Sequence, residues 1–75
     1  MFDERGGTVA DLRPLSIHGM AYLDVALTLD DGTSLSARLG PEAVPDGLAV
    51  GDRIVAVVVM ANVIELRRAD DAPPG

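Results

Sequence analysis

The chain of 75 residues contains no cysteine, no lysine and only two aromatic residues, Phe2 and Tyr22. Without cysteine, disulfide frameworks, thiolate zinc sites and cysteine catalysis are excluded. The absence also fits a reducing cytoplasm, which we take as the expected location. No apolar run approaches the roughly 18 residues that a membrane-spanning helix needs, so we do not expect the chain to be embedded in a membrane.

The charge balance is strongly acidic. Twelve Asp and Glu residues stand against six arginines, which gives a formal net charge of −6. Nucleic-acid binders place cations against phosphates and stack bases on aromatic rings. Because this chain has neither an excess of cations nor the aromatic residues, we do not expect nucleic acid as a partner.

Five short segments are predicted as β-strands, at residues 8–17, 21–29, 33–39, 53–60 and 63–68. The second and third alternate apolar and polar residues with the period of a strand, and the fourth is rich in β-branched residues. Asp30-Asp31-Gly32 separates the second segment from the third and is typical of a hairpin turn. Between the third and fourth segments, Pro41, Pro45 and Gly47 allow at most a short helical turn. The pattern predicts an all-β fold, a small five-stranded OB-like barrel with a short helical turn between strands 3 and 4.

The predicted domain covers residues 7–68. Residues 1–6 are polar, and we expect them to be frayed. Residues 69–75 combine acids, proline and glycine without periodicity, which predicts a disordered acidic and proline-containing tail.

Four short patterns run along the predicted domain: Gly-x-Val at 7–9, an apolar hairpin at 25–37, Leu-x-Val-Gly-Asp at 48–52, and a spaced apolar pattern at 56–66. In this order they resemble the transport-associated OB domain, the TOBE or Mop-like family. The resemblance implies a non-catalytic accessory or regulatory module of the ATP-binding subunits of ABC importers. It also leaves open the alternative of a stand-alone molybdate- or oxyanion-binding protein with sites between subunits.

Members of this family that bind molybdate carry a Ser after the third strand and a Lys-Ser or Lys-Ala pair late in the fourth. Here the matching positions are Ala43, Val59 and Met60, which offer no charge and no side-chain donor to a dianion. Ser36 and Arg38 on the third strand remain as a candidate oxyanion contact, and a solvated polar strand face is the alternative interpretation. We expect no other cofactor and no metal.

Catalytic groups are scarce. His18 is the only imidazole, and Gly19 follows it, so we interpret it as a turn residue rather than a general base or a ligand. No Ser-His-Asp set has a convincing spacing, and no glycine-rich loop stands between a strand and a helix as phosphate binding requires. We therefore do not expect an enzyme.

The fourth predicted strand is apolar on both faces. Ile54, Ala56, Val58 and Met60 share one side, and Val55, Val57 and Val59 share the other. Such a strand needs cover on both sides, whereas the outer side of a small barrel meets water. We therefore predict Val55, Val57 and Val59 as a subunit interface, with a homo-oligomer or an ABC transporter ATPase subunit as the partner. The alternative is that the domain covers both faces of this strand itself.

Overall fold

Five antiparallel strands and one 3-10 turn make up the computed structural model, which describes residues 2–69. The strands are β1 (Phe2–Ile17), β2 (Met20–Leu29), β3 (Ser34–Leu39), β4 (Arg53–Val59) and β5 (Asn62–Arg68), and the turn spans Pro41–Ala43. The predicted all-β class, the five strands and the short helical turn after the third strand are confirmed.

The strands form one sheet in the order β3-β2-β1-β4-β5. The central strand, β1, pairs with β2 along one edge and with β4 along the other. The outer strands β3 and β5 approach each other across the core, but no backbone ladder joins them within residues 2–69. The sheet therefore curls into an OB-like barrel that stays open between β3 and β5.

The inner face of the sheet carries an entirely aliphatic core. Val9, Leu27 and Ile54 are its largest fully buried side chains. Around them pack the other buried members of the cluster: Val25, Leu39, Ala56, Val63 and Leu66. Among the residues that the structure describes, no polar or charged side chain is buried. The core thus depends on apolar burial alone, as a chain with two aromatic residues requires.

The N-terminal segment differs from its prediction. Residues 2–6 do not stand apart from the sheet but begin β1, where Phe2 pairs with Val59 and Gly6 pairs with Val55 of β4. The backbone groups of this polar segment find their partners in a strand some fifty positions further on, a pairing that local polarity does not reveal. The predicted tail lies, from residue 70 onward, outside the described residues.

Two of the hairpin turns place residues other than glycine in the left-handed region. His18 has φ 51° and is followed by Gly19 at φ 79°, so His18 lies in the β1–β2 turn. Met60 and Ala61, between β4 and β5, have φ 50° and 70°. Two-residue turns of this kind match the twist of the strands and favour Asn-Gly, so Met-Ala is an uncommon choice.

Gly7 occupies the tightest position of the sheet. A Cβ atom there would lie 2.7 Å from the carbonyl oxygen of Thr28 and 3.1 Å from the Cα of Leu29. Because both are backbone atoms, β1 and β2 would have to move apart. We predict that Gly7→Ala lowers the free energy of unfolding by about 1–3 kcal/mol, measured by urea denaturation.

Gly6→Ala is the matched control. Its Cβ would first meet the carboxylate of Asp30, at 2.8 Å, which is the end of a flexible side chain. A loss of stability as large as that of Gly7→Ala would contradict the steric explanation.

Candidate functional site

An apolar surface lies on the face of the sheet that points away from the core. We call it the outer valine surface and define it by Phe2, Val55, Val57, Val59 and Ile64. Phe2 of β1 stands opposite Val59 of β4. Ile64 falls where the β4–β5 register shifts, and it has no partner in β4. Phe2, Val57, Val59 and Ile64 line one shallow depression together with Glu65 and Arg67.

The chain itself covers only part of this surface. Val57 is 6% exposed, while Val55 and Val59 are half-buried. Phe2 and Ile64 at its margin remain 65% and 49% exposed, and the neighbouring Met60 is 83% exposed. The domain thus covers the centre of the surface, and its apolar margin faces solvent.

Charged side chains border the outer valine surface. Glu4 stands opposite Val57 from β1, and Arg67 stands opposite Val55 from β5. The Arg67 guanidinium donates a hydrogen bond to the Glu4 carboxylate, so this ion pair crosses β4 above its valines. Glu65 flanks Val57 on the β5 side. The charged side chains thus form a rim on the β1 and β5 flanks of the surface, and the Glu4–Arg67 pair covers its centre.

The turn beside this surface is strained. An L-residue in the left-handed region costs roughly 1–2 kcal/mol, and here Met60 and Ala61 both adopt it. The Asn62 side-chain amide donates to the Met60 carbonyl oxygen at 3.2 Å, which holds the turn. The result is a methionine side chain presented to solvent at the end of the outer valine surface.

The structure places Ser36 and Arg38 in one shallow depression of the outer face, between β2 and β3. Arg38 is engaged there by Asp24, because its Nε and Nη2 donate to the two carboxylate oxygens at 2.8 and 3.1 Å. These hydrogen bonds lower the pKa of Asp24 and raise that of Arg38. An oxyanion at this position would therefore face a neutralised cation and a carboxylate.

The same holds for the other cations. All six arginines of the chain form an ion pair with a carboxylate. The pairs are Arg5–Asp31, Arg13–Asp11, Arg38–Asp24, Arg53–Asp30, Arg67–Glu4 and Arg68–Asp52. The positive charge of the protein is thus used within the chain, and each arginine already has an anionic partner.

Metal and membrane sites receive no support from the described part of the chain. Within residues 2–69 no three His, Asp or Glu side chains converge to hold an ion. The same range contains no helix long and apolar enough to cross a bilayer.

Sequence reasoning identified the three valines but missed the residues at the margin of the surface. The pattern around residues 63–66 left open whether Val63 or Ile64 faces inward, and the structure buries Val63 and exposes Ile64. Phe2 escaped notice because its segment looked frayed. The prediction that Met60 ends the fourth strand on the side of Ile54 is wrong, because β4 ends at Val59 and Met60 lies in the turn with positive φ.

A comparison with known protein families matches residues 6–64 to the TOBE domain. Since the match covers most of the chain, the protein belongs to the TOBE domain family. These domains are associated with ABC transporter ATPases and molybdate-binding proteins, and they are generally non-catalytic modules of transport systems. Searches among curated proteins and among solved structures found no significant match.

Acid should weaken the domain through its ion pairs. Arg53 donates to both oxygens of Asp30, at 2.7 and 3.1 Å, and these hydrogen bonds lower the pKa of Asp30. A depressed carboxyl pKa stabilises the fold above the unfolded value, about 3.9, and that contribution is lost as pH falls through the folded pKa. We predict that the urea midpoint of the wild type falls between pH 5 and pH 2, and that it falls less in Asp30→Asn.

Asp46→Asn is the control for the loss of one negative charge, because no arginine forms an ion pair with the Asp46 carboxylate in the described residues. An equal reduction of the acid sensitivity in both variants would show that net charge, and not the Arg53–Asp30 pair, is responsible.

Proposed function

We propose that this chain is a non-catalytic accessory TOBE module that works by association, with a second copy of itself or with the ATPase subunit of an ABC importer. The outer valine surface would be the contact. The proposal includes a cytoplasmic location, which the absence of cysteine supports.

The observation that carries the proposal is the apolar margin around Val57. Three of the five large apolar side chains that are most exposed, Phe2, Met60 and Ile64, lie at this one end of the sheet. Single exposed apolar residues are ordinary on a soluble domain, but a contiguous group with a charged rim is typical of an interaction surface.

A second interpretation comes from the family, which includes molybdate-binding proteins. The candidate residues for contact with an oxyanion are Ser36 and Arg38, and the guanidinium of Arg38 already forms an ion pair with Asp24. Isothermal titration calorimetry with molybdate, tungstate and sulfate separates the two functions. We expect no heat of binding, and a saturable signal abolished by Arg38→Gln would favour the oxyanion-binding function instead.

The association is tested at Ile64, which is 49% exposed and whose replacement leaves the core intact. We predict that the wild type is a dimer or larger in size-exclusion chromatography with light scattering. Ile64→Asp should lower the mass to that of a monomer, because a carboxylate in a dry contact lacks a partner. Far-UV circular dichroism should show that the variant still folds.

Val50→Asp serves as the matched control. Val50 is 60% exposed and lies in the loop before β4, outside the outer valine surface. If both variants dissociate the assembly equally, or if the wild type neither self-associates nor binds a purified importer ATPase, the proposal is wrong.

The strained turn offers a variant with opposite effects on stability and association. Met60→Asn combined with Ala61→Gly supplies the residues that the turn prefers, so we predict a gain in unfolding free energy of about 1–2 kcal/mol. The same change removes the apolar side chain of Met60 and should weaken association at least severalfold. A variant that is more stable and equally associated would exclude Met60 from the contact.

A further inference from the structure

The two longest uncharged stretches of this acidic chain are residues 54–64 and residues 14–23. The first comprises most of β4 with the turn and the start of β5, and it contributes most of the outer valine surface. The second forms the far end of the β1–β2 hairpin, for which the proposed function gives no role.

This end of the hairpin extends beyond the rest of the sheet. β4 pairs with β1 only as far as Thr8, and β3 pairs with β2 only from Leu23 onward. Residues 14–22 therefore form a two-stranded ribbon, which no other strand of residues 2–69 flanks, and we call this ribbon the hairpin arm. An isolated two-stranded ribbon is marginally stable in water, so contact with another surface would stabilise it.

The outer face of the hairpin arm is apolar. Leu15 stands opposite Tyr22, and Ile17 stands opposite Met20. Both pairs lie on the same face of the β1–β2 hairpin as the cross-strand pair of Arg13 and Asp24, which is the outer face of the sheet. Met20 is 61% exposed, and the other three are half-buried. We call Leu15, Ile17, Met20 and Tyr22 the tip cluster.

We propose that the tip cluster of one copy docks on the outer valine surface of a second copy, with the reciprocal contact made at the same time. The inference rests on the proposed function, and it specifies the partner and the docking element. The two contacts are related by a two-fold axis, so the assembly closes as a dimer.

Geometry favours a second copy over a contact within the chain. The outer valine surface borders the first residues of β1, while the tip cluster lies at the end of this 16-residue strand. The molecule is 41 Å long in its longest dimension. The two surfaces lie at opposite ends of β1, so they meet only between molecules.

Charge also favours this pairing of surfaces. A net charge of −6 makes most encounters between two copies repulsive. The hairpin arm carries no acidic residue between Arg13 and Asp24, so docking it brings no carboxylate against Glu4 or Glu65 of the rim. The hairpin arm can therefore approach the acidic rim of a second copy without repulsion between carboxylates of the arm and of the rim.

The area of a stable interface is the reason for a reciprocal contact. Such an interface buries about 800 Å² on each partner. Each chain contributes both its tip cluster and its outer valine surface, so the two contacts add their areas in one dimer.

Cross-linking tests the contact directly, because the natural chain has no cysteine and gives no background. Met20→Cys and Met60→Cys place one thiol on the tip and one beside the outer valine surface. Under mild oxidation, a mixture of the two variants should form a disulfide-linked heterodimer at least severalfold faster than either variant links to itself. Faster self-linking of Met60→Cys would indicate that two outer valine surfaces face each other, and would overturn the inference.

Complementation gives an independent result by light scattering. Met20→Asp and Ile64→Asp should each be monomeric, since each loses both contacts of a homodimer. An equimolar mixture should recover a weaker dimer at raised protein concentration, because one intact tip then meets one intact surface, whereas each variant alone keeps no intact contact. Val50→Asp should leave the wild-type mass unchanged, and circular dichroism should report the same fold for all variants.

The outcomes separate this inference from the proposed function. If Met20→Asp stays dimeric while Ile64→Asp becomes monomeric, the outer valine surface associates without the arm, and only the docking inference is wrong. If the wild type is monomeric yet binds a purified importer ATPase through Ile64, the inference is also wrong while the proposed function stands. If Val50→Asp dissociates the dimer as well, the specificity claimed for the tip cluster is contradicted.

Discussion

The pairing of β1 with β4 is the interaction on which the rest of the molecule depends. Within residues 2–69 it is the one strand pairing that joins the β1–β2–β3 meander to the β4–β5 hairpin, because no backbone ladder links β3 with β5. The pairing uses Phe2–Thr8, and it requires Gly7 where β1 passes closest to β2. It also places β4 between β1 and β5, whose Glu4 and Arg67 side chains form an ion pair across its outer face, while the core covers its inner face.

The same pairing explains where sequence reasoning succeeded and where it failed. The alternation in residues 21–39 and the valines of β4 are local signals, and from them the strands, the turn and the three valines of the outer surface were predictable. The inclusion of Phe2–Arg5 in the first strand was not predictable, because the partners of these residues are distant in sequence. Phe2 pairs with Val59, and Arg5 forms an ion pair with Asp31. The sequence of a polar segment alone does not distinguish a frayed terminus from a strand whose partners lie far along the chain.

Ion pairing of every arginine links the fold to the choice between functions. Five of the pairs are largely exposed and Arg68–Asp52 is partly buried, so each contributes modestly to stability. Together the six pairs engage every arginine of the chain. Recognition of an oxyanion requires donors and positive charge that are free to turn toward it. What the outer face offers instead is apolar area, which supports the proposed contact with protein over the binding of a dianion.

The strain in the β4–β5 turn strengthens this argument. A two-residue turn with both residues at positive φ is most stable as Asn-Gly, yet the chain places Met and Ala there and exposes the methionine. This strained backbone lies at the margin of the outer valine surface, beside the exposed side chains of Phe2 and Ile64. Residues in sparsely populated backbone regions cluster at sites where strain is part of the function. The proposed association would account for an apolar side chain at a position that folding by itself would assign to asparagine.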